Sequence, residues 1–100
     1  MEVDINKDNF KSEVLEHKGL VIVDLYGTCC IPCKMLAPTL EKVSNDLNIK
    51  LAKVDIDEND ELVNEYKIMS VPTLKIFKDG ELINSSVGVI SESTLLQLLK

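Results

Sequence analysis

The sequence predicts an α/β domain built on a central, partly parallel sheet that helices cover on both sides, with a hairpin at one edge. Two observations carry this. Apolar, β-branched runs alternate with segments of helical periodicity in the order βαβαβαββα. Late in the chain Asp79-Gly80 separates two strand-like runs, a strong short-range hairpin signal.

Taken in order, Met1 to Ile5 alternates weakly and reads as a short strand. Asn6 or Asp8 can cap a helix reaching about His17, with Phe10, Val14 and Leu15 at helical spacing, and Gly19 ends it. His17 reads as an exposed residue at that helix end. Leu20 to Tyr26 has the pattern of a strand buried on both faces. A helix follows the cysteines, its stripe formed by Met35, Leu36, Leu40, Val43 and Leu47. Pro38 lies inside this helix, where it removes a backbone hydrogen bond and should introduce a kink. Lys50 to Asp55 is the next strand, the charged run Asp55 to Glu61 a solvated loop, and Asp60 to Tyr66 a short helix. Thr73 to Lys78 and Glu81 to Val87 form the hairpin. Ser91 can cap a last helix through Leu99, which buries Leu95, Leu98 and Leu99.

With 100 residues, 45% of them hydrophobic and 28% charged, the chain suits one globular domain spanning residues 1–100. No repeat or linker interrupts it. The formal charge is −6 and every basic side chain is a lysine, a poor match to nucleic-acid phosphates. The start, M-E-V-D-I-N-K-D, lacks the basic and apolar regions of a secretory signal, and the longest apolar run, Leu20 to Val23, is too short for a membrane span. These features predict a cytoplasmic protein without nucleic-acid or membrane partners. In a reducing cytosol, cysteines are more often catalytic or metal-binding than permanently bridged.

All three cysteines fall within G-T-C-C-I-P-C-K, Gly27 to Lys34. A zinc site would need two ligands beyond a Cys-x-x-Cys pair, and only the adjacent Cys29 and a distant His17 are left, so no metal is expected. A permanent bridge over two residues would close too small a loop to add much stability. A reversible dithiol fits better. Cys30 lies between a buried strand and a helix N-terminus, where free N–H groups and the helix dipole favour a thiolate. Cys33 lies about one turn further on, within reach to resolve a mixed disulfide and more buried. Pro32 sits early in the helix, where its missing N–H costs nothing. Asp24, an acid inside an apolar strand, should be expensive to bury, and burial should raise its proton affinity.

The segment V-D-L-Y-G-T-C-C-I-P-C-K-M-L-A-P resembles the thioredoxin pattern V-D-F-W-A-x-W-C-G-P-C-K-x-x-x-P. K-V-D-I-D, S-V-P-T-L-K-I-F-K-D-G-E and V-G follow in that family's order and spacing, so the resemblance covers essentially the whole chain. It implies the thioredoxin fold, a central mixed five-stranded sheet flanked by four helices. It implies a protein-disulfide reductase and dithiol electron carrier in which Cys30 attacks the substrate disulfide and Cys33 resolves the intermediate. Asp24 would accept the Cys33 proton, and Lys53 would modulate Asp24. Val71-Pro72 would be a cis-proline loop facing the cysteines, and Ile31, Pro32, Met69, Val71 and Gly88 would line an apolar rim for protein substrates. On the residues alone, Lys53 is more often just a surface lysine; the alternatives are ordinary packing for Met69 and Val71 and a structural role for Asp24, such as capping a neighbouring backbone group. The expected partners are a thioredoxin reductase and disulfide-containing client proteins. The expected state is a monomer without a bound cofactor, and the composition suits a bacterial source.

Three positions depart from the pattern. Cys29 stands where the family carries tryptophan, Tyr26 where Trp or Phe is common, and Ile31 where glycine is usual. Cys29 also opens competing bridges. A Cys29–Cys30 ring would be strained, because bridged Cα atoms sit about 4.4–6.8 Å apart against about 3.8 Å for trans neighbours. A Cys29–Cys33 bridge would alter the helix start. Cys29 thus reads as a space-filler or as a redox-sensing third thiol. Alternatives to the reductase are a more oxidising glutaredoxin- or isomerase-like member and a binding module that keeps the fold without turnover.

Overall fold

In the computed structural model, which describes residues 1–100, strands β1 (Glu2–Asp4), β2 (Leu20–Tyr26), β3 (Lys50–Asp55), β4 (Thr73–Lys78) and β5 (Glu81–Val87) form one sheet. Their spatial order is β1-β3-β2-β4-β5. The β1–β3 and β3–β2 pairs are parallel; β2–β4 and β4–β5 are antiparallel. Helices α1 (Ile31–Leu47), α2 (Asp60–Glu65) and α3 (Glu92–Leu98) and one wide π-type turn, Lys11–Leu15, are the four helical segments. The expected mixed five-stranded α/β architecture is the one adopted, with its first helix reduced to that turn.

Strand alternation divides the core. Val21, Val23 and Leu25 of β2 join Ala52 and Val54 of β3 under Phe10, Val14 and Leu62. On the opposite face Ile22, Leu51, Leu74 and Ile76 pack against Leu36, Leu40 and Val43 of α1 and Leu95 of α3. Each fully buried leucine or isoleucine contributes about 1.5–3 kcal/mol relative to exposure. By the same alternation Asp24 and Tyr26 belong to the α1 face of β2.

The stripe of α1 differs from the expected one. Its buried residues are Cys33, Leu36, Leu40, Val43 and Ser44, whereas Met35 and Leu47 are 63% and 50% exposed. Met35 is one residue out of phase with Leu36, which turns it about 100° off the seam. Leu15 is likewise exposed, and His17 is half-buried beyond the π-type turn rather than exposed at a helix end. Asn6, not Asp8, does the local capping: its Oδ1 accepts the N–H groups of Asp8 and Asn9. Pro38 sits within an unbroken α1, on an exposed position.

The hairpin turn has the predicted residues in the predicted place. Asp79 and Gly80 have φ of 51° and 84°, the doubly left-handed geometry that matches strand twist. Asp79 also ties the turn to the start of β2: its Oδ1 accepts the Gly19 N–H at 2.7 Å, and its own N–H donates to the Gly19 carbonyl at 3.0 Å. A side chain on Gly80 would strike the Leu15 carbonyl. Ser91 caps α3, accepting the Thr94 N–H at 3.1 Å.

Candidate redox site

β2 ends at Tyr26 and α1 begins at Ile31, so residues 27–30 carry the chain from the sheet edge into a helix N-terminus. Cys30 is the N-cap of α1, with extended backbone angles (φ −95°, ψ 110°), and its Sγ accepts the Cys33 N–H at 3.2 Å. A sulfur thus takes the capping role that an oxygen usually fills, and that hydrogen bond favours negative charge on it. Pro32 lies in the first turn, where no intrahelical N–H is lost. Cys30 and Cys33 are bridged with a Cα–Cα separation of 5.2 Å, while Cys29 is free and exposed. Cys30 is half-buried; Cys33, one turn on, is only 7% exposed.

Behind Cys33 lies Asp24, only 3% exposed, in the central strand. Its Oδ1 has no hydrogen-bond partner. Burial raises its pKa from 3.8 to about 6; the nearby Lys53 lowers it in part, and Glu2 raises it. Lys53 is the register partner of Asp24 across the parallel β2–β3 pair. Its ammonium nevertheless pairs with Glu2 (Nζ–Oε1 3.8 Å) and lies 5.2 Å from the Tyr26 ring centroid. Asp24, Tyr26, Thr28, Cys33, Lys53 and Asp55 line one open cleft of about 230 Å³. Solvent therefore has a route to the inner cysteine and to the carboxyl behind it.

The Val71–Pro72 peptide is cis. Val71 presents its carbonyl oxygen 3.9 Å from Cys30 Sγ, and the Pro72 carbonyl accepts the Gly88 N–H at 2.8 Å. Gly27 lies between the two loops: a Cβ there would sit in ordinary contact with both Cys30 Cβ and Val71 Cγ2. Pro72 is buried, Val71 and Gly88 are half-buried, and Ile31, Pro32 and Met69 are exposed, Ile31 at 70% and Met69 at 94%. The structure thus brings Val71 to Cys30, with Pro72 next to it in the chain and Gly88 bonded to Pro72, while Ile31 and Pro32 flank Cys30 in sequence. Met69 stands clear of ordinary packing, beside a shallow hollow shared with Tyr66, Thr73 and Val87.

The sequence profile of the family described as Thioredoxin matches residues 2–100. The chain belongs to the thioredoxin family. It is 40% identical over 93 residues to the Thioredoxin of Bacillus subtilis (strain 168), covering 91% of this chain and 88% of that protein. It is 40% identical over 92 residues to Thioredoxin 1 of Synechococcus elongatus, covering 90% and 86%. With the Thioredoxin of Pseudomonas aeruginosa it shares 38% identity over 99 residues, covering 97% and 92%. Thioredoxins are thiol–disulfide oxidoreductases, and this chain is a protein-disulfide reductase of that kind.

Against the thioredoxin pattern, the exposed free Cys29 shows what replaces the tryptophan: a small thiol on the surface that leaves the rim beside Cys30 without a large ring. Tyr26 keeps an aromatic face, and that face receives Lys53. Glu2 is the contributor that the sequence reading missed. The signal for it is strand parity: Glu2 pairs with Leu51 and Asp4 with Lys53 in the parallel β1–β3 register, so Glu2 shares the Lys53 face.

Proposed function

We propose that the chain reduces protein disulfides in the cytoplasm as a monomeric, single-domain carrier, with Cys30 as nucleophile and Cys33 as resolving thiol. The observation that carries the reading is the asymmetry of the pair: Cys30 caps α1 and is accessible, while Cys33 is buried beside Asp24. In the reduced form the Cys30 thiolate attacks one sulfur of a client disulfide. That bond breaks, one client thiolate leaves, and a Cys30–client mixed disulfide forms. The carboxylate of Asp24 takes the Cys33 proton. Cys33 then attacks the Cys30 sulfur, the second client thiolate departs and is protonated, and the Cys30–Cys33 bridge is restored. Two electrons pass from the dithiol to the client, so no bound cofactor is required.

Lys53 tunes Asp24 as the register neighbour. The Val71 carbonyl is open to an extended client segment, the Pro72 carbonyl–Gly88 N–H bond fixes the loop that presents it, and Ile31, Pro32, Met69 and Val71 supply apolar contacts. A thioredoxin reductase returns the bridge to the dithiol. No helix is long and apolar enough to cross a membrane; the cytoplasmic assignment rests on the likeness to bacterial thioredoxins.

The test is turnover and trapping. Cys30→Ser abolishes reduction of a disulfide-bonded protein by the reductase-coupled assay, whereas Cys33→Ser accumulates a covalent Cys30–client adduct. A Cys30→Ser protein that still turns over refutes the assignment. The Cys30/Cys33 reduction potential separates reductase from isomerase. The reference figures are those of thioredoxin itself, about −270 mV, and of protein disulfide isomerase, about −180 mV.

A further inference from the structure

The groups that face Asp24 come from each element packed around it. β2 contributes Tyr26, β3 contributes Lys53 and Asp55, and α1 contributes Cys33 and Lys34. β4 places only Leu74 opposite Asp24. From β1, Glu2 reaches the same face, with Asp4 in register with Lys53. The cation nearest in register to Asp24 is therefore Lys53, yet no ion pair joins them. The ammonium is taken by Glu2 at 3.8 Å and by the Tyr26 ring at 5.2 Å, and Asp24 Oδ1 is left without a donor.

We propose that Glu2 is a positioning residue for disulfide exchange: together with the Tyr26 ring it holds the Lys53 ammonium away from the Asp24 carboxyl and so sets how readily that carboxyl takes the Cys33 proton. The proposal rests on the reading of Asp24 as the proton acceptor. Neutralising Glu2 has two consequences of the same sign. Its own negative field at Asp24 disappears, and Lys53 is released to approach the carboxylate. Both favour the ionised form, so Asp24 titrates at lower pH without Glu2. The short edge strand β1 thereby tunes a group two strands away.

The experiment compares the wild type, Glu2→Gln, Tyr26→Phe and Asp24→Asn. Asp24 is titrated by carboxyl-carbon NMR in the oxidised protein, where no free thiol at Cys33 couples to it. In the reduced protein, stopped-flow release of the second thiolate from an aromatic disulfide gives the pH profile of the resolving step. Glu2→Gln should move the Asp24 midpoint and the rate midpoint to lower pH together, raising the carboxylate fraction roughly twofold at about pH 5.5. Tyr26→Phe keeps the ring face and should leave both midpoints in place. An Asp24 midpoint unchanged by Glu2→Gln overturns the proposal. So does a midpoint that moves while the rate profile does not, and Asp24→Asn then locates the failure. If Asp24→Asn also spares the profile, Asp24 is not the acceptor; if it alters the profile, only the part assigned to Glu2 fails.

Discussion

Asp24 and Lys53 face each other across the parallel β2–β3 pair, on the side of the sheet that carries the Cys30–Cys33 bridge, and they do not form an ion pair. A carboxyl buried behind a thiol is useful as a base only if it can ionise near the working pH. A close ammonium would fix it in the charged form, and complete isolation would keep it neutral. Lys53 instead contacts Glu2 and the Tyr26 ring, and Asp24, with its pKa raised to about 6, lies between these limits.

This arrangement has a cost that can be measured. In the folded protein burial keeps Asp24 protonated up to about pH 6, whereas its ordinary value is 3.8. Between these values the folded state binds more protons than the unfolded state, so the contribution is fully present below 3.8 and stability falls as pH rises to about 6. The loss is on the order of 3 kcal/mol. Oxidised Asp24→Asn lacks this slope. In urea unfolding it should match the wild type near pH 4 and exceed its stability by about 2–3 kcal/mol near pH 8. A difference that is the same at both pH values would show that Asp24 does not titrate as described.

Cys29 is exposed and outside the bridge, so it should react with an alkylating agent in the folded, oxidised protein. One label is expected before reduction, on Cys29, and two more after reduction, on Cys30 and Cys33. Fragment-ion sequencing assigns them even though all three cysteines lie close together. A protected Cys29 with a labelled Cys30 or Cys33 would mean that another pair is bridged.

Much of the fold was legible because local and tertiary preferences agree. The β2 run is apolar on both faces and lies centrally, Asp79-Gly80 has the backbone freedom its turn needs, and Ser91 caps where its hydroxyl can reach Thr94. The pair Cys30 and Cys33 and the loop at Val71-Pro72 were legible through the resemblance to thioredoxins. The helix seam was less so, since Met35 and Leu36 are both apolar neighbours and only the position of α1 over the sheet decides which one is buried. Strand parity sets which face of β1 Glu2 takes, but its place beside Lys53 was not legible, because that depends on how β1 pairs with a strand nearly fifty residues away.

The corrected seam predicts opposite outcomes for two apolar residues of α1. Leu40 is fully buried, and Leu40→Ala should destabilise by about 2–5 kcal/mol through lost burial and a residual cavity. Met35 is mostly exposed, and Met35→Ala should stay within about 0.5 kcal/mol, aided by the helix propensity of alanine. Chemical denaturation of the two oxidised variants decides the matter. Comparable losses would restore Met35 to the core.

At the opposite end of β3, Lys50 is buried at 8% exposure, and its ammonium donates to both the carbonyl and the carboxylate of Glu13 at 3.1 Å. The two partners are unequal, since the Glu13 side chain keeps about a third of its surface in water and that of Lys50 keeps 7%. Removing Glu13 strands a charge, whereas removing the Lys50 charge leaves only a neutral carbonyl without this donor, because the freed carboxylate can turn to solvent. Breaking a buried pair from one side typically costs about 3–5 kcal/mol, and the carbonyl that Lys50 retains reduces this. Glu13→Ala should therefore cost about 2–3 kcal/mol. Lys50→Met, which keeps the packed stem, should cost less than about 1 kcal/mol. The ranking follows from which charge is left dry, so the reverse order in equilibrium unfolding would show that packing of the lysine stem, rather than the ion pair, holds the π-type turn on the sheet.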